Sequence, residues 1–267
     1  MKQTLALAIA LLGAATPVLA DRLDDIKKAG VLRVAAFDSN PPFGFLDAQT
    51  RQISGLDVDV AKAIATKLNV KLELVPTNPA NRIPLLVAGK ADIVAANFTV
   101  TDERRKQVDF SIPYFASGQQ FIAYKGKLQK PEQLAGLRVG VDKGTTQEIY
   151  LREKYPATTV VAYDDTPLAF TALRNGNVQA ISQDGSKLIA LLANAPDKQK
   201  YEVAPFTLSR EYQAIGLPKG ETRLTKLVNE TLHELEKSGE AVKIYDHWFG
   251  PTTKAPLPRD FKIGDQG

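Results

Sequence analysis

The sequence contains no cysteine, and only two of its 267 residues are histidines, His233 and His247. The absence of cysteine excludes disulfide bonds, thiolate catalysis and every metal site that depends on cysteine ligands. Two histidines argue against a histidine-rich zinc site and against a histidine-based catalytic triad. The motifs G-x-S-x-G, G-x-x-x-x-G-K-[ST], G-x-G-x-x-G and H-E-x-x-H are also absent. We therefore predict no catalytic residue, no metal site and no cofactor.

The charges are nearly balanced, with 34 basic and 30 acidic side chains, and 44% of the residues are hydrophobic. This composition is typical of a globular protein, and the length suffices for one large domain or two smaller ones. The net charge of +4 is small and evenly spread, so it gives no indication of nucleic-acid binding.

The longest uncharged hydrophobic stretch lies at the N-terminus. Lys2 precedes an apolar run from Leu5 to Leu12, and small residues follow up to Ala20. This order is typical of a secretory signal peptide, and the run falls short of the roughly 20 apolar residues that a spanning helix needs. We expect cleavage after Ala20, which leaves an exported chain of 247 residues with 33 basic and 30 acidic side chains.

Short β-branched runs alternate with helical patterns through most of the remaining chain, which indicates α/β units with mainly parallel sheets. Two extended segments, Ser117–Lys125 and Leu208–Pro218, lack the helix expected beside a strand, so both are candidate crossings between two lobes. The predicted strands are Val31–Phe37, Lys71–Thr77, Ala91–Thr99, Gln119–Tyr124, Leu137–Val141, Thr158–Tyr163 and Val178–Ser182. The predicted helices are Asp57–Asn69 with Asp57 as its N-cap, Ala80–Ala88, Thr145–Tyr155, Thr166–Arg174, one through Leu224–Leu235, and Glu240–Phe249.

Polar residues stand where predicted strands end and helices begin, the position at which open α/β sheets bind ligands. Thr99 offers a hydroxyl and a backbone N–H there, and Arg104 offers a two-pronged donor for a carboxylate. The alternative for Arg104 is an exposed basic turn shared with Arg105 and Lys106.

Two later strand ends carry similar candidates. Thr145 caps the next helix through a T-x-x-E box, which leaves the hydroxyl of Thr146 free for a ligand at the helix start. Asp184 is either an N-cap or a carboxylate suited to an ammonium group. Arg82 lies in the first turn of a helix, where a cation opposes the dipole, and Phe37 at a strand end is a candidate cleft wall.

Several motifs, in this order and at these spacings, resemble those of the amino-acid-binding periplasmic receptors of ABC importers, solute-binding protein family 3. The similarity runs from about Gly30 to Phe249. The segments that carry it are Pro41–Phe43 (PPF), Gly55–Ala61 (GLDVDVA), Gly89–Ile93 (GKADI), Thr101–Arg104 (TDER), Val108–Ser111 (VDFS), Gly144–Thr146 (GTT) and Ser238–Glu240 (SGE).

This resemblance implies an α/β protein with the two-lobe, type II periplasmic-binding-protein fold, in which each lobe is a mainly parallel sheet flanked by helices. Two hinge crossings join lobe 1, residues 21–117 and 213–267, to lobe 2, residues 118–212. It also implies a periplasmic receptor, expected to be monomeric, that clamps a free amino acid between the lobes and delivers it to a membrane permease.

The resemblance assigns roles to the candidate residues. Arg104 binds the α-carboxylate with help from Thr99 and Thr146. Asn97 supplies a further polar contact, and Asp184 pairs with the α-ammonium.

The segment Asn81–Leu86 (NRIPLL) resembles that of receptors for glutamate and aspartate, in which this arginine, here Arg82, meets the side-chain carboxylate. Those receptors usually carry a second basic residue where this chain has Phe37, and they tend to carry histidine at Thr166. We therefore expect a polar amino acid, acidic or amide, with Arg82 and Phe37 in the side-chain pocket.

Two other classes use the same fold, and fold alone does not separate them. An exported cyclohexadienyl-type dehydratase would need a proton donor in the cleft, and Asp184 could serve as one. A sensor module of a receptor kinase or channel is disfavoured, because no transmembrane segment follows the fold in this sequence.

Overall fold

The computed structural model describes residues 21–265, so the predicted signal peptide lies outside the described residues. The strands are β1 (Val31–Phe37), β2 (Ser39–Asn40), β3 (Gly44–Leu46), β4 (Ile53–Ser54), β5 (Lys71–Thr77), β6 (Ile93–Val94), β7 (Asp109–Tyr124), β8 (Arg138–Asp142), β9 (Thr159–Tyr163), β10 (Ala180–Asp184), β11 (Tyr201–Val203) and β12 (Arg210–Leu217). The helices are α1 (Arg22–Ala29), α2 (Leu56–Leu68), α3 (Arg82–Val87), α4 (Asp102–Arg105), α5 (Thr146–Lys154), α6 (Thr166–Arg174), α7 (Gly185–Asn194), α8 (Thr222–Ser238) and α9 (Glu240–Phe249). Within this part of the chain no helix combines the length and the apolar character needed to cross a membrane.

The first lobe comprises β1–β6, α1–α4, α8 and α9. Its parallel strands lie in the order β5, β1, β6, and β1 is buried from Val34 to Phe37, as expected for a strand covered on both faces. Helix α2 presents Val60, Ile64 and Leu68 to the core on one face, which confirms the predicted amphipathic pattern. These elements fix the carboxyl end of β1, and with it Phe37, at the edge that faces the second lobe.

The second lobe comprises β8–β11 and α5–α7. Its strands β10, β8 and β9 are parallel and adjacent, and the predicted helix over Thr166–Arg174 is confirmed as α6. Hydrophobic side chains pack on both faces of this sheet, with Leu173 and Leu188 on one and Val139 and Leu151 on the other. The carboxyl ends of β8 and β10 face the first lobe.

Strands β7 and β12 connect the two lobes. β7 has 16 residues; it pairs with β12 in the first part of its length and with β10 and β11 further on. The two extended segments predicted as crossings, Ser117–Lys125 and Leu208–Pro218, overlap β7 and β12 respectively. The structure thus has the mixed α/β architecture and the two crossings of the expected fold class.

Two sequence predictions near the site are wrong in detail. Helix α2 begins at Leu56 with Gly55 as its N-cap, so Asp57 does not cap it. The Asp57 carboxylate instead accepts hydrogen bonds from the Asn97 N–H and the Tyr114 hydroxyl. The cap position itself requires glycine, because Gly55 has φ 146° and a Cβ atom there would lie 2.1 Å from the carbonyl oxygen of Phe43. The predicted strand over Ala91–Thr99 shortens to β6, because the chain turns at Asn97, whose φ is 44°.

Candidate ligand-binding site

A small, nearly closed cavity lies between the lobes, at the carboxyl ends of β1, β8 and β10. Both lobes contribute to its wall, and all seven residues predicted to bind a ligand are among those that line it. The lining residues are Phe37, Pro79, Arg82, Asn97, Thr99 and Arg104 from the first lobe, and Thr145, Thr146, Gln147, Gln183, Asp184 and Lys187 from the second.

Arg104 is buried, whereas its neighbours Arg105 and Lys106 are exposed. Thr101 caps α4 as predicted, which directs the third residue of this short helix back toward the sheet. The Arg104 guanidinium donates to the carbonyl oxygens of Thr99, at 2.7 Å, and of Gly144 in the second lobe, at 3.0 Å. Burial lowers the pKa of Arg104 to about 10, and the charges of Glu211 and Asp184 act in the opposite direction.

Arg82 is 3% exposed and also has only carbonyl acceptors. Its Nε donates to Pro79 at 3.0 Å, and its Nη1 donates to Ala96 and Asn97 at 3.2 and 3.1 Å. Burial and the neighbouring Arg104 lower its pKa. Among residues 21–265, neither guanidinium has a carboxylate oxygen within 4.0 Å. Both positive charges are therefore buried without a carboxylate in direct contact, and Asp184 acts on both of them only at longer range.

Asp184 ends β10 and occupies the N-cap position of α7, but its side chain does not cap the helix. Its Oδ1 accepts a hydrogen bond from Gln147 Nε2 at 2.9 Å, and no cation of the described residues lies within 4.0 Å of it. Burial and the nearby charge of Glu211 raise its pKa to about 7. Asp184 is thus a buried carboxylate turned into the cavity rather than an ordinary cap.

Asp57 holds Asn97 in its left-handed conformation. The Asn97 N–H donates to Asp57 Oδ2 at 2.8 Å, and the Tyr114 hydroxyl donates to Oδ1 at 2.6 Å. Burial raises the pKa of Asp57 to about 7. Asn97 is 4% exposed, and its Nδ2 has no hydrogen-bond partner in the described structure. An amide with a free donor at a cavity wall can bind an oxygen of a ligand.

Glu211, on the crossing strand β12, binds both threonines that were predicted to contact a ligand, Thr99 and Thr146. Its Oε2 accepts from the hydroxyl of Thr99 in the first lobe, at 2.9 Å, and from that of Thr146 in the second lobe, at 2.7 Å. Each hydroxyl has a single proton, so both are committed to Glu211. The sequence analysis missed this residue because strand β12 carries no local motif around it.

Lys187 and Asp142 form a second charged group that the sequence analysis missed. Lys187 lies one helical turn after Asp184, so an i, i+3 spacing at a helix start was the available signal. Asp142 Oδ2 accepts from Thr166 and Gln183, both at 2.7 Å, and lies 3.8 Å from Lys187 Nζ. Burial raises the pKa of Asp142 and lowers that of Lys187.

The two α/β lobes, the two strands that cross between them and the charged cavity match the type II class of periplasmic binding proteins. The model of the bacterial extracellular solute-binding proteins, family 3, matches residues 32–251, and the chain belongs to this family. The predicted resemblance is therefore confirmed.

Curated relatives and a solved structure agree with this family. The L-cystine-binding protein of Escherichia coli K12 is 32% identical over 231 residues, 85% of this chain and 86% of the relative. The glutamate/aspartate import solute-binding protein of the same organism is 30% identical over 265 residues, 94% of this chain and 87% of the relative. An ancestral amino-acid-binding protein described as a precursor of cyclohexadienyl dehydratase is 35% identical, with a TM-score of 0.78 over 85% of this chain and 98% of that structure.

Proposed function

We propose that this protein is a periplasmic receptor that binds an α-amino dicarboxylic acid, L-glutamate or L-aspartate, between its lobes and delivers it to the permease of an ABC importer. The observation that carries the proposal is a set of buried charges in the cavity wall that have no ion-pair partner within 4.0 Å among residues 21–265: two guanidinium groups, Arg82 and Arg104, and one carboxylate, Asp184. A buried charge is costly unless it is paired. The ligand that pairs all three has two carboxylates and one ammonium.

The roles of the polar residues follow from this matching of charges. Arg104 takes the α-carboxylate, and Asp184 takes the α-ammonium. Backbone N–H groups of Thr99 and Thr146 assist, since the hydroxyls of both residues donate to Glu211. Asn97 adds its free amide donor.

The side chain of the ligand extends toward Arg82 and the ring of Phe37. The Arg82 Cζ lies 5.8 Å from the centroid of that ring and 4.6 Å from the centroid of Phe98. A cation against aromatic faces keeps its charge in an apolar environment. A ligand carboxylate at this place gains a strong partner, and a ligand with a cationic side chain is repelled.

Binding draws the lobes together, because Arg104 and Asp184 belong to different lobes. We place the lobe boundaries at residues 21–117 with 213–267, and at 118–212. A ligand that contacts both lobes favours the closed form by its differential affinity, and closure changes the face offered to the permease. The same proposal includes cleavage after Ala20 and a monomeric receptor.

Two observations support an amide or an enzymatic alternative. The family includes receptors named for glutamine, cystine and arginine, and an amide oxygen would also accept from Arg82. The ancestral relative described as a dehydratase precursor keeps a cyclohexadienyl-type dehydratase as the second candidate, with the raised pKa of Asp184 as its proton source. The other charges of the cavity favour the dicarboxylate receptor.

A thermal-shift panel tests the proposal. The protein without residues 1–20 is unfolded and refolded to remove carried-over ligand, then heated with each common amino acid, with cystine and with a cyclohexadienyl acid. We expect the largest rise in Tm with glutamate or aspartate. A rise with arginine alone would contradict the charge argument. Turnover of the cyclohexadienyl acid without binding of any amino acid would establish the enzyme instead.

A further inference from the structure

Lys187 is a buried cation whose ammonium group makes no hydrogen bond to any of residues 21–265. Its side chain is 3% exposed and lines the cavity between the lobes. The nearest carboxylate oxygen is Asp142 Oδ2, at 3.8 Å, which is beyond hydrogen-bond distance. Three N–H donors in a buried position without an acceptor are costly unless a further partner binds them.

The ion pair with Asp142 does not satisfy the N–H donors of this lysine. The same oxygen of Asp142 already accepts two short hydrogen bonds, from Thr166 and from Gln183. The ammonium group stays beyond hydrogen-bond distance of that oxygen. Lys187 instead points to the first lobe, where its Nζ lies 5.2 Å from the centroid of the Phe37 ring. Arg82 contacts the same ring from its own lobe.

We infer that Lys187 is a specificity-determining residue, which binds the side-chain carboxylate of the ligand from the second lobe while Arg82 binds it from the first. This inference rests on the proposed function. Its consequence is that the side chain of an acidic ligand bridges the lobes, as the α-carboxylate and α-ammonium do. An amide of the same shape cannot neutralise the ammonium group.

The charges that line the cavity agree with this role by their position. They are Arg82, Arg104 and Lys187 against Asp184. Asp142 and Glu211 lie behind the lining, Asp142 beside Lys187 and Glu211 against the hydroxyls of the two threonines. The two cations that approach the Phe37 ring from opposite lobes, Arg82 and Lys187, therefore favour a carboxylate of the ligand at that place.

The test replaces Lys187 by methionine, which keeps the length of the side chain and removes the charge. Affinities for L-glutamate, L-aspartate and L-glutamine are measured by titration calorimetry on refolded protein. We expect Lys187→Met to weaken binding of the preferred acid at least about 30-fold and binding of glutamine at most about fivefold. Lys154→Met, an exposed lysine of the second lobe, is the matched control and keeps the affinities of the original protein.

A second variant separates ligand binding from a merely structural role. Lys187→Met combined with Asp142→Asn removes both charges and so leaves no buried unpaired carboxylate. If Lys187 binds the ligand, this double variant remains as weak toward the acid as the single one. Recovery of the original affinity in the double variant would show that the lysine serves only Asp142, and it would overturn the inference.

The outcomes distinguish the inference from the function on which it rests. Binding of an acidic amino acid by the original protein, with the same ratio of acid to amide affinity in Lys187→Met, overturns the role of Lys187 and leaves the proposed function intact. No binding of glutamate or aspartate by the original protein overturns both.

Discussion

Three charged residues of the cavity wall differ from charged residues of an ordinary protein core, because they have no oppositely charged side chain in direct contact. Within the described part of the chain, Arg82 and Arg104 donate only to carbonyl oxygens, and the Asp184 side chain accepts only from an amide. In an ordinary protein core such groups are paired, since an unpaired buried charge costs several kcal/mol. Under the proposed function, the ligand supplies the charges that these groups lack.

Substitution of Arg104 tests directly whether this single residue binds the α-carboxylate. We expect Arg104→Ala to weaken ligand binding by about 2–3 kcal/mol or more, because the α-carboxylate then remains buried without its partner. The measurement is titration calorimetry, with Arg105→Ala as the control that removes the exposed neighbouring charge. Affinities of the two variants within threefold of each other would refute the assignment of Arg104.

The raised pKa of Asp184 makes binding depend on pH. Its carboxylate must be ionised to hold an ammonium group, and burial brings its pKa to about 7. Affinity is therefore highest above that pH and falls as the pH decreases through 7, by up to about tenfold per unit. Binding below pH 7 releases a proton, which calorimetry in buffers of different ionisation enthalpy measures.

Asp57 provides the control for this pH effect, because burial also brings its pKa to about 7. It contacts Asn97 and Tyr114 but does not line the cavity. Asp57→Asn is expected to retain the proton release, whereas Asp184→Asn is expected to lose it. The opposite pattern would assign the titration to Asp57.

At the scale of elements, strand β12 is both a crossing and a tie between the lobes. Glu211 accepts the hydroxyls of Thr99 and Thr146, which lie on opposite sides of the cavity. We expect Glu211→Ala to speed ligand dissociation about tenfold, since hydrogen bonds to a charged acceptor are lost between the lobes. Stopped-flow displacement measures this rate, and Glu153→Ala, an exposed acid on α5, is the control. An unchanged dissociation rate would contradict the claim that Glu211 holds the two lobes together.

Elements with a local signal were predictable from the sequence. The bounds of β1, β5 and α6 and the caps at Thr101 and Thr145 agree with the structure, because periodicity and capping depend on neighbouring residues. The length of β7 was not predictable, since its pairing with β10, β11 and β12 is decided by distant segments.

The same distinction applies to the site. Local pattern and resemblance led to all seven predicted residues on the cavity wall. The sequence analysis did not identify Lys187 and Glu211, because only tertiary structure brings the second lobe and a crossing strand, on which they lie, next to the first lobe. Burial of Arg104 and exposure of Arg105, side by side in one turn, are likewise consequences of tertiary packing.

At the scale of the whole molecule, the charges of the cavity are divided between the lobes. Arg82 and Arg104 come from the first lobe, and Asp184 and Lys187 come from the second. Under the proposed function, a dicarboxylic amino acid contacts both sets only when the lobes are together, so its binding favours the closed form. That coupling is what a receptor needs in order to signal its loaded state to a permease.

The measurement that tests this account most directly is a calorimetric comparison of L-glutamate and L-aspartate with their amides, on the refolded protein at pH 7.5. The members of each pair have nearly the same shape and differ in the charge of the side chain. The account predicts that one of the acids binds at least about tenfold more tightly than its amide, because only the acid supplies the second carboxylate. Equal or tighter binding of the amides would contradict it and would show that the buried cations are satisfied by the protein itself.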